Sequence, residues 1–242
     1  MWGWQEQLLQ IMGGGFANDQ VLITDTVKDF CMRIKRGSKK FRKIIAGKEE
    51  QRISSNINKF AEITDTVINL DFSERLNCHW VKPYYSNVMR VFIFKYYNNL
   101  LGLNSRVAHF VRNHPRTCTF CDLARIRQEN SETIKHLFYD CNLVEEPLAN
   151  FFLWLGIPEI GYRDFFLGIN TQDVNKNKMM DIILNVLRKA IWDCKLRYCL
   201  PTGEYLKKTF LFESRVMYTA SKKFRDIVAK SGYFTNHAEI RF

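Results

Sequence analysis

Four residues in one short stretch, Cys118, Cys121, His136 and Cys141, have the types and the spacing to hold a metal ion: they read C-x2-C-x14-H-x4-C. Two cysteines separated by two residues turn both thiolates onto one ion, and a second pair returned by an intervening loop completes a tetrahedron. Three sulfurs and one imidazole nitrogen favour Zn2+. A ligand set with no position left for water points to a structural ion and not a catalytic one. The second pair must be positioned by a helix. Ser131 is placed to cap it, Glu132 and Thr133 fill its first turn, and Ile134, Leu137 and Phe138 give it an apolar face, with His136 and Cys141 at its start and end. The plain alternative is three buried free cysteines and a surface histidine; the spacing, matched within one short window, favours the metal. Cys31, Cys78, Cys194 and Cys199 lie scattered among apolar residues and read as small core hydrophobes.

The motif CTFC, then ETIKHLFYDC and the aromatic run PLANFFLWL, resembles the zinc-binding segment at the C-terminal end of non-LTR retrotransposon (long interspersed element) reverse transcriptases. In that family two close cysteines, a variable loop, an E-T-x-x-H-L-F-x-x-C stretch and an apolar helix follow one another. Upstream, FIFKYYNNLLGLNSRVAHFVRNHPRTCTFC is similar to the family's helix and short basic linker. Downstream, FFLGI and VLRKAIWDCKLRYCLPTGEYLKKTF resemble its aromatic, basic terminal helix, which stops at a proline before another helix begins. The resemblance is specific over residues 106–210 and weak before residue 69. It implies the non-catalytic C-terminal part of a reverse transcriptase, which holds template RNA or target DNA during target-primed reverse transcription while a polymerase core does the chemistry. The stretch FAND at residues 16–19 offers Asn18 and Asp19 where a polymerase hairpin has two aspartates, and no Asp-Asp pair occurs in the chain. The paired carboxylates that hold two catalytic metal ions are therefore missing, and no polymerase activity is expected.

Composition sets the wider bounds. The 242 residues, 46% hydrophobic and 14% aromatic, supply material for one good core or two small ones. Thirty-six Lys and Arg against twenty-five Asp and Glu leave a net charge of +11 and a pI near 9.3, a balance that favours phosphate-rich partners. Seven cysteines, an odd number, with no signal peptide at the start indicate a reducing, intracellular setting, nuclear and cytoplasmic, not secretion. No apolar run approaches the ~18 residues of a membrane span.

Three regions follow along the chain: a helical connector with a basic run (1–82), the CCHC zinc-binding lobe with flanking helices (83–155) and a basic C-terminal helical region (156–242). The connector opens with a short amphipathic helix ended by Gly13, Gly14 and Gly15, which lack the context of a phosphate loop. Residues 33–48 carry eight basic residues and no acid, a phosphate-tracking loop or a solvated face. Within residues 49–82 the stretch EITDTVINLDF offers a strand or an extended link, with Cys78 read as core and His79 as surface. In the lobe, residues 88–101 are apolar on nearly all sides and read as a buried helix, in which Phe92, Phe94, Tyr96 and Tyr97 serve packing before base stacking. Gly102 ends it. Asn104 and Ser105 then cap a helix carrying Arg106, His109, Phe110 and Arg112, which His114-Pro115 breaks. His109 and His114 read as surface residues, since four ligands are already present. Arg116, Arg125, Arg127 and Lys135 complete a basic knuckle. Pro147 marks the start of a helix in which LANFFLWLGI supplies a strongly apolar face that should pack against the zinc lobe, and Gly156 and Pro158 end it. In the last region FFLGI is a short anchor. A helix over 178–200 places Met179, Ile183, Val186, Leu187, Ala190, Ile191 and Cys194 on one stripe, with Arg188, Lys189, Lys195 and Arg197 opposite it, a face for phosphate or an ordinary solvated surface, and Pro201 stops it. The final forty residues are helical and basic.

The expected protein is mainly α, a helical array organised around a CCHC structural zinc lobe with little or no β-sheet. Its arginines and lysines would contact nucleic acid, RNA or DNA, mainly through phosphate. A reading from another class is a zinc-scaffolded protein-interaction module that docks on a polymerase core or a host factor through Phe151, Phe152 and Trp154. A metalloenzyme needs an open ligand position and a nearby general base, and neither is visible.

Overall fold

The computed structural model describes residues 59–62, 64–66, 82–126, 130–158, 160–234 and 240, all within the unit from Arg52 to Phe242. Among these residues the structure is helical, and the only strand-like pairing is an isolated antiparallel bridge between Thr117 and Ser131. The readings made for Gly13 to Gly15, FAND, the basic run at 33–48, Cys31, Cys78, His79 and Arg127 lie outside the described residues.

Helix α1, Asn87–Tyr97, starts where the Ser86 hydroxyl accepts from the Met89 N–H. It ends at Asn98, with Asn99 taking the left-handed conformation (φ 51°) three residues before Gly102. Its buried face is Met89, Phe92, Ile93, Tyr96 and Tyr97, while Val88 and Val91 are exposed. It is therefore a one-sided helix, not one enclosed on nearly all sides. Helix α2, Asn104–Val107, is a single turn; α3, Thr119–Leu123, is another. A π-helical turn, His136–Asp140, leads into α4, Asn142–Leu155. Pro147 stands inside α4 and not at its start, because Cys141 already provides the extended N-cap residue. Gly156 (φ 68°) closes α4 in the left-handed conformation, with the Ile157 N–H reaching back to the Phe152 carbonyl at 3.0 Å.

After the short helix α5, Tyr162–Leu167, comes α6, Val174–Leu196, whose N-cap Asp173 accepts from Asn175 and Lys176. It starts four residues earlier than the apolar stripe suggests and ends at Leu196, with Tyr198 turning the chain in the left-handed conformation (φ 53°) before Pro201 is reached. Helices α7, Gly203–Ala220, and α8, Lys222–Ser231, follow, capped by the Thr202 and Ser221 hydroxyls. Helix α6 is the axis of the fold: α1, α7 and α8 all pack against it, and α7 also lies along α4. That arrangement buries Ile182, Leu184, Asn185 and Arg188 as well as the expected stripe.

One aromatic seam joins the parts. Tyr96 of α1 meets Phe138 of the π turn edge-on at 5.3 Å, Tyr139 packs on Tyr162 and Phe165 at 5.1 and 5.3 Å, and Phe151 of α4 meets Phe210 of α7 at 5.5 Å. Such tilted and edge-on pairs add about 0.5–1.5 kcal/mol each beyond the area they bury. Through them the core runs without a break from the segment before the cysteines to the C-terminal helices, so 83–155 and 156–242 share one interior. Phe151 and Phe152 are consumed in that packing and Trp154 is partly covered by Phe210 and Lys207. They do not form the outward docking surface expected of them; on this helix Leu153 is the apolar residue that faces out.

Candidate metal centre

Cys118, Cys121, His136 and Cys141 come together, with all four ligand atoms within 4.8 Å of one another. The Cys121 sulfur is 3.8 Å from that of Cys141 and 3.5 Å from His136 Nε2, and the Cys118 and Cys141 sulfurs are 4.0 Å apart. The three cysteines are buried and the histidine is half-buried. The four can hold a metal ion.

Local backbone structure explains how they converge. Cys118 ends an extended segment in which its N–H donates to the Asn130 carbonyl and the Glu132 N–H donates to the Arg116 carbonyl, a two-rung clamp around the Thr117–Ser131 bridge. The single turn α3 then brings Cys121 round beside Cys118. The second pair is set by the π turn. In an α-helix, residues five apart are separated by about 140° around the axis, since each residue turns about 100°. The Cys141 N–H instead donates to the His136 carbonyl at 2.9 Å, an i to i+5 bond that widens the turn and lets imidazole and thiol face one point. The helical segment here starts later than the sequence suggests. Ser131 is held in the bridge, and the Thr133 hydroxyl does the capping by accepting from the His136 N–H at 3.1 Å.

The sulfurs do not titrate alike. Hydrogen bonding from the Cys141 thiol outweighs burial and, helped by His136, brings Cys118 down to about 4. Burial and then the Cys118 charge push Cys121 up to about 11. Cys141 is held above the ordinary thiol range, first by its hydrogen bond to Cys118 and then by burial. Left to themselves the three sulfurs share one negative charge at neutral pH; three thiolates this close require a cation among them.

A residue with no obvious role in the motif, Glu132, organises the surroundings. Its carboxylate is 0% exposed. Oε1 accepts from the Asn104 N–H at 2.8 Å, which is the start of α2. Oε2 accepts from the Thr119 N–H at 2.8 Å and the Thr119 hydroxyl at 2.5 Å, which is the start of α3. Two helix N-termini thus converge on one carboxylate. Lys195 from α6 approaches Oε1 at 3.1 Å and also donates to the Gly102 carbonyl at 2.7 Å. Asn104 and Ser105, expected as caps, work elsewhere: the Asn104 amide donates to the Thr117 carbonyl and the Ser105 hydroxyl to the Glu132 carbonyl. His109 is exposed, and the His114 ring lies 3.4 Å from the Asn104 side-chain oxygen.

The basic residues divide. Arg112, Arg116, Arg125 and Arg197 are exposed and Arg106 is half-buried. Among the described residues, no carboxylate lies at ion-pair distance from any of them. Lys135 is half-buried over the Tyr162 ring, 4.0 Å from the Asp140 carboxylate. Lys189 is bound to Asp193 one turn along α6. Arg188 and Lys195 are corrections to the expected basic face. Arg188 is 1% exposed, donates to the Tyr97 hydroxyl at 3.0 Å, to the Asn185 side chain at 2.9 Å and to the Phe165 carbonyl, and stacks on Tyr96. Its burial follows from α1 covering the side of α6 that the stripe left free, which puts the guanidinium out of reach of phosphate. Lys195 is committed to Glu132. Cys194 is buried as expected, but Cys199 is exposed beyond the end of α6.

Comparison of the chain with known protein families, with characterised proteins and with solved structures finds no match.

Proposed function

We propose that this chain is a zinc-stabilised, non-catalytic nucleic-acid-binding module of the kind found at the C-terminal end of non-LTR retrotransposon reverse transcriptases. The observation that carries the metal is the ligand geometry. A tetrahedral zinc with bonds of about 2.3 Å to sulfur and about 2.05 Å to nitrogen sets sulfur–sulfur edges near 3.8 Å and sulfur–nitrogen edges near 3.6 Å. The spacings here are 3.8 and 4.0 Å, and 3.5 Å. Cys118, Cys121, Cys141 and His136 through Nε2 would hold the ion, whose contribution is folding energy for a segment made of single helical turns.

The nucleic-acid reading is supported by the exposed arginines on the same lobe, Arg112, Arg116 and Arg125, which no carboxylate pairs with among the described residues, set against a net charge of +11. Zinc with three thiolates and a neutral imidazole carries one negative charge, so the ion adds nothing to the positive field and the arginines must supply it. They would contact the phosphate backbone of template RNA or target DNA with strong salt dependence and little sequence preference. Catalysis would belong to a polymerase core elsewhere.

Two measurements test this. Protein purified without added zinc should contain about one zinc per chain, lost together with helical circular dichroism in Cys121→Ser and His136→Ala. Reversing Arg112, Arg116 and Arg125 to Glu should leave the zinc content unchanged while lowering affinity for a mixed-sequence oligonucleotide and flattening the salt dependence. A metal-free folded wild type sinks the zinc reading; unchanged oligonucleotide affinity in the triple variant sinks the binding reading.

A further inference from the structure

The turn that leads into the first ligand carries an aromatic side chain for which the fold has no use. Phe110 is 80% exposed, and its neighbour Val111 is exposed as well. Among the described residues it is the most exposed of the large hydrophobic side chains, and its position is not the accident of a loose segment. The Phe110 and Val111 N–H groups both donate to the Val107 carbonyl at 2.9 Å, His109 donates to Arg106, and His114 donates to Val111. Asn113 reverses the chain at φ 62°. The start of the turn is fastened to the metal lobe through Asn104 and Ser105, and its end at Arg116 lies in the clamp beside Cys118. The ring is therefore presented on an ordered platform, so little conformational entropy remains to be lost when something covers it.

The electrostatic surroundings indicate what that is. Residues 101–121 contain Arg106, Arg112 and Arg116 and no acidic residue. Arg112 and Arg116 are exposed, and among the described residues no carboxylate pairs with them. An exposed ring between unpaired arginines matches a strand whose bases offer flat faces and whose backbone offers phosphates a few ångströms away. A duplex offers the phosphates but keeps its base faces stacked.

We propose that Phe110 stacks on an unpaired base and that this turn makes the lobe select single-stranded over duplex nucleic acid. The proposal rests on the nucleic-acid reading above and adds to it the form of the ligand. Arg112 and Arg116, which follow the ring in the same turn, hold the backbone, and these contacts are shared by both forms; the ring is what separates them.

The test uses the full chain, loaded with zinc, and a mixed-sequence oligonucleotide as a single strand and as a blunt duplex, followed by fluorescence anisotropy at one fixed salt concentration. Because Phe110 is exposed, Phe110→Ala should keep the wild-type melting temperature. Its single-strand affinity should fall about tenfold, the effect of losing one base–aromatic stack, while duplex affinity changes by less than about twofold. Phe110→Tyr, which keeps a ring, should restore the preference. If Phe110→Ala binds the single strand as tightly as wild type, or loses both forms equally, base stacking is refuted while phosphate binding stands. If wild type binds neither form, the underlying nucleic-acid reading fails. Phe110-dependent binding to vesicles of anionic lipid with no binding to either oligonucleotide overturns both, and the turn is then a membrane-surface contact.

Discussion

Replacing Glu132 by alanine tests whether the metal lobe and the long helix are one mechanical unit. The substitution removes the acceptor for the Asn104 and Thr119 N–H groups and the Thr119 hydroxyl, and leaves the Lys195 ammonium with the Gly102 carbonyl and the face of Trp192. The Glu132 side chain is 0% and that of Lys195 10% exposed, so water does little to replace what is lost. Breaking a buried pair from one side costs about 3–5 kcal/mol, against the ~5–15 kcal/mol that typically holds a domain together. Lys195→Met should cost less, because the carboxylate keeps its three other donors. The double variant should recover about 1–3 kcal/mol relative to the sum of the single effects. Urea denaturation followed by circular dichroism in zinc-replete buffer measures all three. Because Thr119 opens the turn that carries Cys121, Glu132→Ala should also weaken zinc binding by about 10–100-fold in competition with a chromophoric chelator, the usual effect of losing a residue that orients a ligand. A Glu132→Ala protein within about 0.5 kcal/mol of wild type, or two single effects that add without coupling, would falsify the view that this carboxylate braces the lobe.

Zinc binding should release about two protons from the sulfurs at pH 7, because Cys118 titrates near 4 and is already ionised while Cys121, near 11, and Cys141 are not. Affinity should then rise by about two orders of magnitude per pH unit around neutrality, with the gain from Cys121 fading as pH passes about 11; calorimetry in buffers of different ionisation enthalpy counts the protons, and a count near zero contradicts the sulfur arrangement. Arg188→Met should destabilise the protein by about 3 kcal/mol or more, since it leaves the Asn185 and Phe165 oxygens without that buried donor. Arg188→Lys should not restore the loss, because an ammonium cannot span that fork; a benign Arg188→Met in thermal melts shows the buried role to be wrong. Gly156→Ala should cost about 1 kcal/mol from backbone strain at φ 68° alone, as an added Cβ meets nothing within 4 Å; a loss several times larger in the same melts points to a packing role instead.

The four candidate ligands were legible because their information is local. C-x2-C and H-x4-C fix which side chains can converge before any tertiary contact is made, and Gly156 marks the end of α4 by its own backbone freedom. What escaped is what depends on distant neighbours. Arg188 and Lys195 lie opposite the apolar stripe of α6, and a helix covered on one side would expose both. Helices α1, α7 and α8 surround it, and the partners that make their burial tolerable, Tyr97 and Glu132, stand 91 and 63 positions earlier in the chain. Glu132 looked like an ordinary first-turn acid for the same reason: its ligands are two helix starts that the sequence does not mark as neighbours. Phe110 read as part of a longer helix, but α2 stops at Val107 and the chain turns outward instead. The aromatic run of α4 packs inward on the turn that carries the ligands, as its apolar face suggests, and its second neighbour, Phe210 of α7, is what the sequence does not announce.

The π turn has a consequence beyond joining two ligands. A deletion of one residue between His136 and Cys141 would leave histidine and cysteine four apart, a spacing that still lets both face one ion from an ordinary α-helix. The metal could therefore survive the deletion. Everything downstream would be turned by about 100° about the helix axis, swinging Phe151 away from Phe210 and Leu148 out of the core. The extra residue of the turn thus acts as a phase setting for α4, and its loss should give a chain that binds its ion yet cannot close its C-terminal half around it.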